Sequence, residues 1–162
     1  MRRWLACLTV ACLLLESVAV AAVRGKAAKY VGGTLTGLAE NTDGTFELGD
    51  AAAVFKAKKG ATIAIPYKQI DSLEYGQKAG RRVGAAIGWS VVTPVLAPVF
   101  LLSKRRKHFL TIGFEDETGK KQGVVFELAK GIVRETLTTL ETQSGKKVEY
   151  ESEEARKHAE KQ

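Results

Sequence analysis

The sequence predicts a mainly β fold: a small antiparallel sheet or partly open barrel with one carboxy-terminal amphipathic helix, interrupted by an apolar, membrane-contacting insert. Three observations predict it. Short apolar–polar alternations separated by turn residues recur on both sides of residue 80. An apolar stripe at helical spacing, Leu128, Ile132, Val133, Leu137 and Leu140, runs through residues 128–143. Between the strands, residues 83–102 carry no charged side chain, with Arg81 and Arg82 on one side and Lys104, Arg105, Arg106 and Lys107 on the other.

Length and composition set the frame. The 162 residues amount to about one domain. An apolar fraction of 45% and a charged fraction of 27% are those of a chain that folds, so disorder throughout is excluded. The net charge of +7 suits contact with anionic lipid, nucleic acid or acidic polymers. It is not evenly spread, because residues 78–82 and 104–107 together hold seven cations beside the uncharged block.

Residues 1–22 have the three-part layout of a secretory signal peptide. Arg2 and Arg3 start it, an apolar run follows from Leu5 to Leu15, and Ala19, Ala21 and Ala22 supply small residues for a peptidase. The alternative is an uncleaved amino-terminal anchor, although the apolar run is short for a spanning helix. Cys7 and Cys12, the only cysteines, both lie in this segment. A processed chain would have no disulfide, and neither cysteine follows the apolar run as a lipid-attachment site should.

From residue 29 to residue 77 the pattern is antiparallel sheet. Residues 30–36 read as a short strand whose Gly32 and Gly33 mark a bulge. Asn41, Thr42, Asp43 and Gly44 read as a turn leading into Thr45–Leu48. Residues 53–57 and 61–65 flank Lys58, Lys59 and Gly60 as a hairpin. Ile63, Ile65 and Tyr67 share one face, and Pro66 ends that strand or puts it at an edge. Ile70, Leu73 and Tyr75 continue the apolar pattern to Gly76. Gly32 and Gly37 have the spacing of P-loop glycines, but Leu38 and Ala39 stand where Lys-Ser/Thr is needed.

The insert has just the length, about 20 residues, that crosses a hydrocarbon core as a helix. Gly80, Gly84 and Gly88 recur every four residues, which reads either as a glycine-zipper stripe that admits close approach of another helix, by self-association or with a partner protein, or as a glycine-rich loop entering the insert. Trp89 and Phe100 add aromatic surface, and Pro94 and Pro98 interrupt any helix. Basic flanks on both sides give no orientation under the positive-inside rule. They fit a segment that dips into one leaflet and returns, with Arg81, Arg82, Lys104, Arg105, Arg106 and Lys107 at the headgroups. A single spanning helix and a buried core hairpin are the alternatives. Strands on both sides of the insert favour dipping, since one sheet cannot lie on two sides of a membrane.

After the insert, residues 109–114 read as a strand with Leu110, Ile112 and Phe114 on one face. Residues 116–120 make a turn, and residues 122–127 return with Val124 and Phe126 aligned. The helix follows and Gly145 stops it. Residues 146–162 carry mixed charge with almost nothing to bury and read as a solvated tail.

This order of elements resembles the pleckstrin-homology-like and GRAM-like superfold. Residues 63–75 are similar to the middle strands of such domains, and Phe126, Glu127 and Leu128 entering the helix to their ending. The resemblance spans residues 29–143 and the insert departs from it. It implies binding of lipid headgroups or peptides, although a shared fold does not transfer a function.

No catalytic constellation is legible. Glu115, Asp116 and Glu117 sit beside a turn as a solvated hairpin tip, where nothing separates two carboxylate pKa values. His108 and His158 are the only histidines and have no ligand spacing, so no metal or cofactor is implied. The basic run 104–107 fits nucleic acid electrostatically, but next to a signal peptide and an apolar block anionic lipid is the more economical partner. The expectation is an exported, periplasmic or cell-envelope, membrane-associated module that contacts anionic lipid or a partner protein. The alternative is an exported hydrolase-like enzyme whose site has no recognisable motif. Mass spectrometry of the native protein should find an amino terminus near Ala22 or Val23; intact Met1 in the mature pool would count against cleavage.

Overall fold

The computed structural model describes residues 26–77 and 107–161. Within them lie eight strands: β1 (Lys26–Gly33), β2 (Thr42–Leu48), β3 (Ala52–Ala57), β4 (Thr62–Pro66), β5 (Ile70–Gly76), β6 (His108–Glu115), β7 (Lys121–Leu128) and β8 (Val148–Tyr150). Two α-helices, α1 (Val133–Ser144) and α2 (Glu153–Glu160), complete the set together with single 3-10 turns at Tyr67–Gln69 and Lys130–Ile132. All the strands join one open sheet in the order β4-β3-β2-β1-β7-β6-β5-β8. Every pairing is antiparallel except β5 with β8, so the sheet is mixed.

The alternating apolar residues face a common core. Phe126 stands at its centre, with Phe46, Phe55 and Tyr30 at ring-centroid distances of 5.0, 5.1 and 5.9 Å. Such tilted and edge-on contacts add to the area each ring buries. Leu73, Leu110, Ile112 and Val124 are fully buried beside them. Val133, Leu137 and Leu140 of α1 enter the same cluster, as their helical spacing requires. Gly145 ends α1 in the left-handed region, φ 70°, with its N–H donated to the Glu141 carbonyl.

Most predicted strands lie where the alternation put them. The Lys58-Lys59-Gly60 hairpin forms, closed by the Ala57 N–H to the Ala61 carbonyl and the Gly60 N–H to the Ala57 carbonyl. Strand β4 stops at Pro66 and is the outer strand of the sheet, satisfying both consequences of a proline there. The expected irregularity in β1 is a register shift against β7 between Tyr30 and Gly32. A second shift, between Ile70 and Ser72 on β5, explains a spacing that plain alternation does not. Ile70 and Leu73 are three residues apart, and the bulge returns both to the core.

Three turn and boundary expectations need correction. The turn lies before Thr42, not at residues 41–44. Asn41 takes the left-handed conformation, φ 60°, as its side chain tolerates, and β2 has begun by Thr42. Gly44 is a ladder residue paired with Ala28 and Ala57. It is glycine because a Cβ there would run into the Lys56 carbonyl and the Phe55 ring. Leu128 belongs to β7 and not to the helix, and β1 begins at Lys26 and ends at Gly33.

The segment read as a solvated tail forms β8 and α2. Val148 pairs beside Leu73, and its N–H is held by the Glu141 carboxylate at 2.7 Å. Ser152 caps α2 by accepting from the Ala155 N–H, and Ala155 and Ala159 pack into the core at 2% and 3% exposure. Alanine at i and i+4 is a thin apolar stripe, invisible among ten surrounding charges but wide enough for a helix to lie close. Ala159→Asp should therefore lower the unfolding free energy by about 2 kcal/mol, whereas Lys157→Ala should change it by no more than about 0.5 kcal/mol. Denaturant unfolding of the two variants checks this, and equal, small effects would return the segment to solvent.

Candidate functional site

The described site is the root of the insert, where β5 ends and β6 begins. Backbone pairing sets it: Gly76 lies opposite Phe109, and Tyr75 opposite Leu110. Residues 78–106 therefore leave and return between two hydrogen-bonded neighbours.

A polar cluster is buried at this root. The Tyr75 hydroxyl lies 2.6 Å from Nδ1 of His108, with the two rings stacked 15° from parallel. Tyr150 of β8 meets Tyr75 edge-on at 6.0 Å. Tyr75 is 1% exposed and His108 7%. Burial first, and then Tyr150, pushes the Tyr75 hydroxyl up to about 12, so it stays protonated. Burial also lowers the His108 pKa, reinforced by His158 and Lys130 and opposed by Glu127. A neutral imidazole carrying its proton on Nε2 leaves Nδ1 free to accept the Tyr75 hydroxyl. Nearby, the Glu151 carboxylate accepts from the Gln77 N–H at 3.1 Å and lies against Gly76. The end of β5 is thus fastened to the loop between β8 and α2.

Of the predicted headgroup contacts, only Lys107 falls among the described residues. Its ammonium donates to the Glu127 carboxylate at 2.9 Å, with side-chain exposures of 36% and 25%. This pairing makes Lys107 a strut across β6 and β7 more than a free cation. Arg81, Arg82, Lys104, Arg105 and Arg106 lie outside the described residues, as do Gly84, Gly88, Trp89, Pro94, Pro98 and Phe100 and the Gly80 stripe. None of the described helices is long and apolar enough to cross a membrane.

The acidic hairpin tip has a structural task. Asp116 accepts at Oδ1 from the Thr118 N–H, the Thr118 hydroxyl and the Lys120 N–H, and at Oδ2 from Gln122 Nε2 at 2.8 Å. The side-chain bonds from Thr118 and Gln122, then the backbone bonds, hold it far below the usual carboxylate range. A carboxylate so saturated shapes the β6–β7 turn and is poorly placed to take up a proton. Among the described residues no cluster of three or more His, Cys, Asp or Glu side chains is arranged for a metal ion.

Sequence reasoning weighed His108 only as a metal ligand and missed its pairing with Tyr75. Its position, first in an alternating strand with Leu110, Ile112 and Phe114, was the signal that it faces the core. No protein-family model matches the chain, and no curated protein does.

The histidine has a pH consequence with a definite sign. A group whose folded pKa is lowered takes up its proton more readily in the unfolded chain. Its contribution to stability is complete above the unfolded value of 6.5 and declines as pH falls below it towards the folded value. Urea midpoints should accordingly drop between pH 7.5 and pH 5.5, and the pH slope should shrink in His108→Phe. An unchanged slope in that variant would assign the acid sensitivity to other groups.

Proposed function

We propose that this protein is an exported, membrane-associated module of pleckstrin-homology-like or GRAM-like fold that holds an apolar insert at an anionic lipid surface. The observation that carries the reading is the pairing of Gly76 with Phe109, which puts both ends of the insert at one point of one sheet, about 5 Å apart. A segment that leaves and returns between paired strands favours a dipping insert over a single crossing. Half of the uncharged block, about ten helical residues, reaches about 15 Å, half the depth of the hydrocarbon.

The basic flanks then meet the same leaflet. Arg81 and Arg82 on the way out and Lys104, Arg105 and Arg106 on the way back keep their charged heads at the headgroups while their stems lie along apolar surface. Seven antiparallel strands in the order 4-3-2-1-7-6-5 running into α1 support the fold assignment. The strand β8 and helix α2 are additions to that pattern. Strand β8 braces β5, the strand from which the insert departs.

Each cation near an anionic surface contributes roughly 1 kcal/mol, so neutralising three should weaken binding by about two orders of magnitude. The variant is Lys104→Gln, Arg105→Gln, Arg106→Gln, leaving Lys107 with Glu127. Flotation with phosphatidylserine-containing and pure phosphatidylcholine vesicles should show the loss only on the anionic ones. An equal loss on both, or none on either, would overturn the headgroup role.

A further inference from the structure

The sheet has a second buried face, opposite the one that α1 packs against. Strand β6 is buried at every position from His108 to Phe114, and the expected one-sided strand is two-sided. On the second face Val31 of β1, Val125 of β7 and Phe109 of β6 form a separate apolar cluster, 3%, 1% and 7% exposed. Thr111, paired with Val125, is 6% exposed beside them. On β5 the same face carries Glu74, paired with Thr111.

Neither described helix contributes an apolar residue to this second cluster. The buried apolar residues of α1 and of α2, Ala155 and Ala159 included, all belong to the main core cluster. A strand buried on both faces needs a layer on each. Phe109 and Glu74, both on the second face, each have an interaction partner.

We infer that the face of Val31, Phe109 and Val125 is the seat of the chain's own uncharged segment, residues 83–102. Connectivity is the first argument. Residues 78–106 follow Gln77 directly and end just before Lys107, and Gly76 lies opposite Phe109. The segment thus departs from the rim of this face and returns to it. Span is the second: from β6 across β7 to β1 is two strand spacings, about 10 Å, and ten residues reach farther than that in any regular conformation. Charge is the third. The face offers Glu74 on the strand that leads into Arg81 and Arg82, and Glu127 already holds Lys107 at the other flank.

This inference does not depend on membrane contact. The cluster of three side chains occupies one side of a segment of twenty uncharged residues, leaving its other side for lipid or for a neighbour. Seating one side on the sheet fixes which side is presented outward.

The test is disulfide trapping in the full chain without vesicles. Val125→Cys is combined in turn with Trp89→Cys, Val92→Cys, Val95→Cys or Phe100→Cys, and Val31→Cys serves as a second anchor. Cysteine is close in size to valine, so the anchors should not disturb packing. The control anchor is Thr138→Cys on the exposed side of α1. Intramolecular effective concentrations reach the millimolar range, so at least one anchored pair should close at least about tenfold faster than its control. Pairs no faster than control would overturn the inference. So would bonds joining two molecules, which assign the face to a second copy, and bonds to the native Cys7 or Cys12, which assign it to the amino-terminal segment. Vesicle binding is measured separately, and its loss leaves this result standing.

Discussion

The antiparallel pairing of β5 with β6 is the constraint on which the rest of the structure depends. Between the two strands the chain makes an excursion of 29 residues, 78 to 106, that the ladder must close. Loop closure grows only as the logarithm of length, so an excursion this long costs little more than a loop half its size, roughly 0.6 kcal/mol. The ladder meets that cost by burying Leu73 and Tyr75 against Leu110 and Ile112. The insert can therefore be long, apolar and basic at its flanks without entering the core described here. Its position is dictated by two strands whose own sequences are ordinary.

Much of this fold was legible because side-chain direction in a strand has a period of two. Ile65 and Tyr67, Leu110 to Phe114, and Val124 and Phe126 announced a shared face, and their burial follows. Glycine and proline told as much: Gly60 made the tight hairpin, Pro66 closed an outer strand, and Gly145 ended a helix. Where a glycine served contact instead of conformation, the reading failed. Gly44 resembled a turn residue next to Asp43, and only the Lys56 carbonyl and the Phe55 ring across the ladder reveal why no side chain fits there.

The site was less legible, for a related reason. Tyr75 and His108 are 33 positions apart and meet only through the β5–β6 register, which no local pattern encodes. Lys107 adjoins the other basic residues in sequence, and its pairing with Glu127 twenty positions away is likewise set by the fold and not by any local pattern. The two faces of β6 were hidden similarly, since Phe109, Thr111 and Gly113 look like the solvent side of an alternating strand. Helix α2 went unread because alanines carry its entire buried side.

Among the described residues the open sheet has two margins, β4 and β8, and both are short. At one, β4 offers five residues that end in Pro66, with Lys58, Lys59 and Lys68 close by in the chain. At the other, β8 offers three residues before Ser152 turns the chain into α2. Neither margin presents the long, flat, apolar row of unpaired backbone groups that templates strand-by-strand growth. Margins of this kind give a neighbouring chain little to extend into a continuous cross-β ribbon. In a chain with a twenty-residue uncharged segment in its middle, the short margins and the net charge act against aggregation together.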